Sequence, residues 1–343
     1  MGKKEEIMRT IDGEYTGYIP VIPVANAFAA KQSGQPMGKV MSDPVTYAQA
    51  MIDCRKHFKY DGLWVMGTDG VTSALGKGLI NKFGQKSETG ESVILNRKSI
   101  EQLHDVRVSK DINMEGLYKA IQLMKKEDPE EPIFSVISSP ASTAAVMMDV
   151  GNFYVSMVKE PEFVKDVIKR ITNPIVEFVY LLAEAGVDVI WNPMPTLSAT
   201  CISRKLYENI CRESNVYFNE QVKKCGIRLI AHACGKWEDR FDLLSKEGID
   251  GMHVSECDFS KTCREYGRGI CMMGDIPSVP VMLLGTKEQV YQKAFENCMA
   301  AVPHGSFILS PDCGMPPEVP GENVQAMCQA AKDAAAVLEK GGL

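Results

Sequence analysis

The sequence predicts an α/β chain folded as a (β/α)8 TIM barrel, and three observations carry that reading. Short apolar runs alternate with longer amphipathic segments along the whole chain. The runs are apolar at consecutive positions, as in strands covered on both faces of a parallel sheet. No glycine-rich phosphate turn follows the first of them, where the chain reads Val24-Ala25-Asn26-Ala27, so an open doubly wound sheet is the weaker reading. Alternating βα units imply parallel strands joined by crossover helices, and eight of them suggest closure.

The strand candidates are residues 19–24, 62–66, 133–137, 187–191, 227–231, 251–254, 270–273 and 306–309. Helical periodicity covers 44–57, 114–127, 162–185, 204–225, 240–247, 257–266, 287–300 and 324–338. Gly186, Gly226 and Gly248 sit just past helical stretches, where a residue of positive φ commonly ends a helix. Residues 68–131 exceed a minimal repeat and are expected to form an insertion over the barrel mouth, either a surface elaboration or a substrate lid. No linker or repeat array divides the chain, so residues 1–343 are expected to form a single domain.

The 343 residues are 45% hydrophobic, enough for a large core, and the formal charge of −6 excludes a dominant nucleic-acid or anionic-membrane role. The first ten residues lack the apolar run of a secretory signal, and no apolar stretch approaches the roughly 18 residues of a membrane span. A cytoplasmic protein is expected. Its eleven cysteines then read as reduced thiols, packed in the core or bound to metal.

Catalytic groups of such barrels gather where strands end. After the fourth strand comes Asn192, after the fifth His232-Ala233-Cys234, after the sixth Glu256, after the seventh Asp275, and after the eighth Asp312-Cys313. His232 and Cys234 alternate about one alanine, so an extended backbone points both side chains the same way. Imidazole beside thiolate suits zinc, and Cys313 offers a third ligand from another strand exit. Three protein ligands leave a fourth position open, as in catalytic zinc sites. By spacing alone the pair reads more readily as a histidine and a packed thiol, and only its place at a strand exit, with Cys313 at another, brings the metal reading level with that one.

These same residues carry a resemblance. Residues 229–235, with His232-Ala233-Cys234, followed by 309–317 and by Glu322-Asn323-Val324, resemble the methylcobamide:coenzyme M methyltransferases of the uroporphyrinogen decarboxylase superfamily. The likeness extends to Ile19-Pro20, Ser139-Pro140, 185–188 and 273–276. It implies the same barrel, a catalytic Zn2+ on His232, Cys234 and Cys313, and a corrinoid (methylcobamide) presented by a separate carrier protein. One departure matters: true uroporphyrinogen decarboxylases carry an arginine-rich stretch near the first strand that grips propionates, and residues 24–31 here contain no arginine.

The implied reaction moves a methyl group from the corrinoid to a zinc-activated thiol, coenzyme M or a similar small molecule. Glu256 is then expected as a displaceable metal ligand, as an acceptor behind a ligand, or as a cap of the helix that follows, and Asp312 as an orienting or proton-accepting group. Asn192 and Asp275 are expected as rim contacts for substrate or cofactor. The alternative runs the other way, from a methoxylated aromatic or other methyl donor to a cobalt(I) corrinoid protein. Phe28, Trp64, Trp191 and Trp237 would serve that reading if they faced the mouth.

Overall fold

The computed structural model describes residues 2–67, 72, 94, 96–101 and 112–341. Seven parallel strands form one sheet in chain order: β1 (Leu63–Met66), β2 (Ile133–Val136), β3 (Val189–Pro193), β4 (Arg228–Ala233), β5 (Gly251–Val254), β6 (Cys271–Ile276) and β7 (Phe307–Pro311). Nearly every strand residue is buried, which explains runs of apolar residues without alternation.

The first expected strand, 19–24, is the correction. It makes only one bridge, Val21 to Leu309. Pro20 and Pro23 have no N–H to give a ladder, so a regular strand cannot form. The segment still closes the barrel. Ile22 N–H donates to the Leu309 carbonyl at 2.9 Å on one side, and Asp61 N–H to the Val21 carbonyl at 2.7 Å on the other.

Helices cover the outside. Asp43 caps Pro44–Phe58 and Ser139 caps Pro140–Met148, each accepting a backbone N–H and each followed by a proline at the first helical position. Gly186 takes φ 104° at the end of Pro161–Ala185, as its place after a helical stretch predicted. The helix expected over 240–247 shrinks to Phe241–Leu244. Its flanks are used otherwise: Arg240 is buried with its guanidinium on the Leu197 and Ile202 carbonyls, and Glu247 is buried against Tyr207 and Arg212. Of the stretch 68–131, Ile112–Glu127 is the crossover helix between β1 and β2 and Arg97–Glu101 a short helix. Most of the remainder lies outside the described residues, and with it the expected insertion over the mouth.

The barrel interior holds its own apolar cluster, with Trp64, Phe134, Val189, Ile230, Met273 and Ile308 among its members. Lys3–Ile11, a helix the sequence reading did not anticipate, adds Ile7 and Ile11 to it. This helix lies at the end where the strands begin. Lys3 reaches buried Asp61 at 2.5 Å and buried Glu131 at 2.6 Å, Lys4 reaches Asp188 at 2.8 Å, and Arg228 forks onto Asp12. Asp61 also accepts from Tyr18 Oη and Val21 N–H, and Glu131 from Arg55 and Gly62 N–H. Residues just ahead of β1, β2 and β3, and the first residue of β4, are thus tied to this helix and its C-cap Asp12, leaving the opposite end for chemistry.

Candidate metal centre

His232 is the fifth residue of β4, Cys234 follows that strand directly, and Cys313 follows Pro311, the last residue of β7, by two positions. One ligand atom from each lies within 4.8 Å of the other two, a spacing fit for one metal ion. The backbone around them is pinned. Met194 N–H donates to the His232 carbonyl, Trp237 Nε1–H to that of Cys234, and Gly235 N–H to Ser255 Oγ. Ser255 in turn donates to the Ala233 carbonyl at 3.2 Å.

The electrostatics of the group favour a cation. His232 is 1% exposed, and neither ring nitrogen has a hydrogen-bond partner. A buried imidazole with both nitrogens unsatisfied is costly. The sulfurs conflict as well. A hydrogen bond from Cys234 and the nearby His232 ring pull the Cys313 thiol far below the usual range. The same bond, followed by burial, drives the Cys234 thiol up. Two thiols side by side cannot both ionise without a counter-charge, and a divalent ion among the three atoms would remove both penalties.

The other expected residues fall into different places. Asp312 Oδ1 accepts from Ser278 N–H at 2.9 Å and from its hydroxyl at 2.6 Å, while Ser278 Oγ accepts from Cys313 N–H. Asp312 therefore braces the Cys313 loop through Ser278, a residue with no motif to reveal it. Glu256 is exposed with φ 47°, and its charge is one of those felt by Cys234, but it is not in the three-residue group. Asn192 is buried and donates to the Ile137 carbonyl at 2.7 Å, joining the exits of β2 and β3. Phe28, Trp64, Trp191 and Trp237 are at most 5% exposed, so none presents an aromatic face at the mouth.

Asp275 turns away from the centre. Its Oδ1 meets Lys293 at 3.3 Å and Asn297 at 3.4 Å, both on the outer helix Lys287–Ala301. Burial pushes its carboxyl up to about 6, against the pull of Lys293. A raised carboxyl favours the protonated fold, so its stabilisation is present at low pH and is lost as pH rises through about 6. Asp275→Asn should accordingly gain stability over the parent, by about 1–3 kcal/mol, between pH 4 and pH 7. Urea midpoints at both values would show it, and parallel pH curves for the two proteins would reject it.

His253 of β5 was not anticipated. It is fully buried, and burial holds its ring neutral, far below the usual imidazole range. Trp191 Nε1–H donates to its Nδ1 at 2.9 Å, and its Nε2 lies 2.8 Å from the Pro311 carbonyl. The Trp191 indole stacks on His232 with centroids 4.5 Å apart and planes at 20°.

Comparison with known proteins agrees with this architecture. The chain is 24% identical over 221 residues to the methylcobamide:CoM methyltransferase MtaA of Methanosarcina barkeri, covering 64% of this chain and 63% of that protein. It is 22% identical over 250 residues to the methylcobamide:CoM methyltransferase MtbA of Methanosarcina acetivorans, covering 73% and 72%. Among solved structures, a methyltransferase from Methanosarcina mazei superposes with a TM-score of 0.87 at 18% identity, covering 97% of this chain and 99% of that one. The profile of the uroporphyrinogen decarboxylase (URO-D) family matches residues 2–334. With that match covering nearly all of the sequence, and the barrel in place among the described residues, the chain belongs to the uroporphyrinogen decarboxylase family.

Proposed function

We propose that this protein is a zinc-dependent corrinoid methyltransferase, acting as one barrel domain in the cytoplasm with a separate corrinoid carrier protein. The carrying observation is the convergence of His232, Cys234 and Cys313, with both His232 nitrogens unpartnered, at the strand exits of a barrel whose relatives are named methylcobamide:CoM methyltransferases. Zinc on these three residues would lower the pKa of a thiol at the remaining position, leaving a deprotonated yet nucleophilic sulfur at neutral pH.

The chain's own residues do the positioning. Trp191 and the β4 backbone set the His232 ring, and Ser278 and Asp312 set the Cys313 loop. Holding acceptor and methyl donor in line is worth several orders of magnitude in rate. A methylated corrinoid on the carrier would supply the methyl group and keep the cobalt–carbon electron pair as cobalt(I), while the thiol would release its proton and become a thioether. No helix among the described residues is long and apolar enough to cross a membrane, and all eleven cysteines are free, in keeping with a reducing compartment. The four aromatics named for the methoxyaromatic alternative are all buried, so they lend it no support.

The test mixes the purified protein, methylated corrinoid carrier and a panel of thiols including coenzyme M, following cobalt(I) absorbance. Thiol-dependent cobalt(I) formation supports the reading. Its absence with every thiol, alongside methylation of cobalt(I) by an aromatic methyl ether, would reverse the direction. Uroporphyrinogen is expected to be untouched. Residues 24–31 enter the short helix Asn26–Gln32 with Asn26, Phe28, Ala29 and Ala30 buried, and Lys31, the one cation there, is exposed. Coproporphyrinogen formed at enzyme-like rates would overturn that expectation.

A further inference from the structure

We propose that His253 is the positioning residue of the His232–Cys234–Cys313 centre, holding Trp191 with one ring nitrogen and the Pro311 carbonyl with the other. The inference rests on the metal-site reading above and adds what orients the ligands. Its partners dictate the tautomer. An indole N–H can only donate, so Nδ1 of His253 is the bare acceptor, 2.9 Å from Trp191 Nε1. The proton therefore sits on Nε2, which donates to the Pro311 carbonyl at 2.8 Å.

Each of these bonds leads to a ligand. Trp191 stacks on the His232 ring, and the His253 ring itself lies 4.5 Å from that ring by centroid, on the residue paired with His232 in the β4–β5 register. Pro311 ends β7 two residues before Cys313. A ligating histidine is ordinarily oriented by a hydrogen bond from its second nitrogen to a carboxylate or carbonyl. His232 has no such partner at either nitrogen. Ring contacts replace that bond, and His253 fixes the ring that makes them. The same side chain anchors the strand end that presents the cysteine, so one buried imidazole couples the two halves of the site.

The experiment uses the full chain, stripped of metal, as parent, His253→Phe and Trp191→Phe. Each is loaded with cobalt(II) for absorption spectra, titrated with zinc against a chromophoric chelator, and unfolded in urea without metal. The parent should bind one ion. His253→Phe fills the space but makes neither bond, and should bind about 10–100-fold more weakly with altered ligand-field and thiolate charge-transfer bands. Trp191→Phe keeps a smaller ring near His232 and loses the indole donor, while His253 keeps its bond to the Pro311 carbonyl, so it should shift the bands the same way by less.

A residue that merely supports the fold would lower the urea midpoint and leave the cobalt bands of the folded protein unchanged. Parent-like bands and affinity in both variants overturn the proposal. If His253→Phe does not fold, Trp191→Phe decides alone, and parent-like bands there overturn it. Failure of the metal reading shows separately, as a parent that binds neither cobalt nor zinc, and the proposal falls with it.

Discussion

Cys313→Ala is expected to lose most of its zinc and to fall to background in thiol-dependent methyl transfer, while keeping its fold. Loss of a partner outside the ligand set already costs about 10–100-fold in metal affinity, so loss of a ligand should exceed ~100-fold. The variant leaves Ser278 and Asp312 in place, because their bonds are to the Cys313 backbone and to each other. Metal analysis of the purified protein, beside circular dichroism, is the measurement, and full zinc retention would take Cys313 out of the coordination sphere. A pH dependence follows with it. Cys234 holds its proton in the metal-free centre because the hydrogen bond to Cys313 and burial raise it. Zinc must displace that proton, so zinc affinity should rise with pH, by about tenfold per unit for each proton released.

The second large effect is expected at the other end of the barrel. Asp61→Ala should destabilise the protein by about 3–5 kcal/mol, the usual result of removing one partner from a buried ion pair. The change would leave Tyr18 Oη and Val21 N–H without their acceptor, and the Lys3 ammonium with Glu131 alone, which is buried at 3% exposure. It also loosens the closing segment at Val21, which loses its bond to the carboxylate and keeps only the one from the backbone N–H of residue 61. A urea midpoint equal to that of the parent would reject the account. Zinc content per folded chain should not change, since the network lies where the strands begin and the metal group where they end.

The sequence by itself determined the barrel and picked out the His232, Cys234 and Cys313 group that the fold brings together. Consecutive burial gives consecutive apolar residues, so all seven observed strands coincide with their apolar runs to within three residues at either end. The His-x-Cys pair was legible because one strand exit carries both residues, and Cys313 because its flanking residues match a known family. Tertiary structure alone decided the rest. Pro20 and Pro23 turned the first strand into an irregular stave, an outcome of hydrogen-bond supply that an apolar run does not display. Lys3–Ile11 is a short amphipathic stretch whose role emerges only when Ile7 and Ile11 meet the barrel interior and Lys3 meets Asp61. Asp275 shared a rim position with the ligands in sequence, yet it faces an outer helix. His253 and Ser278 carry no motif, because their work is a set of bonds to residues 58 and 35 positions away, and only folding brings those atoms within reach.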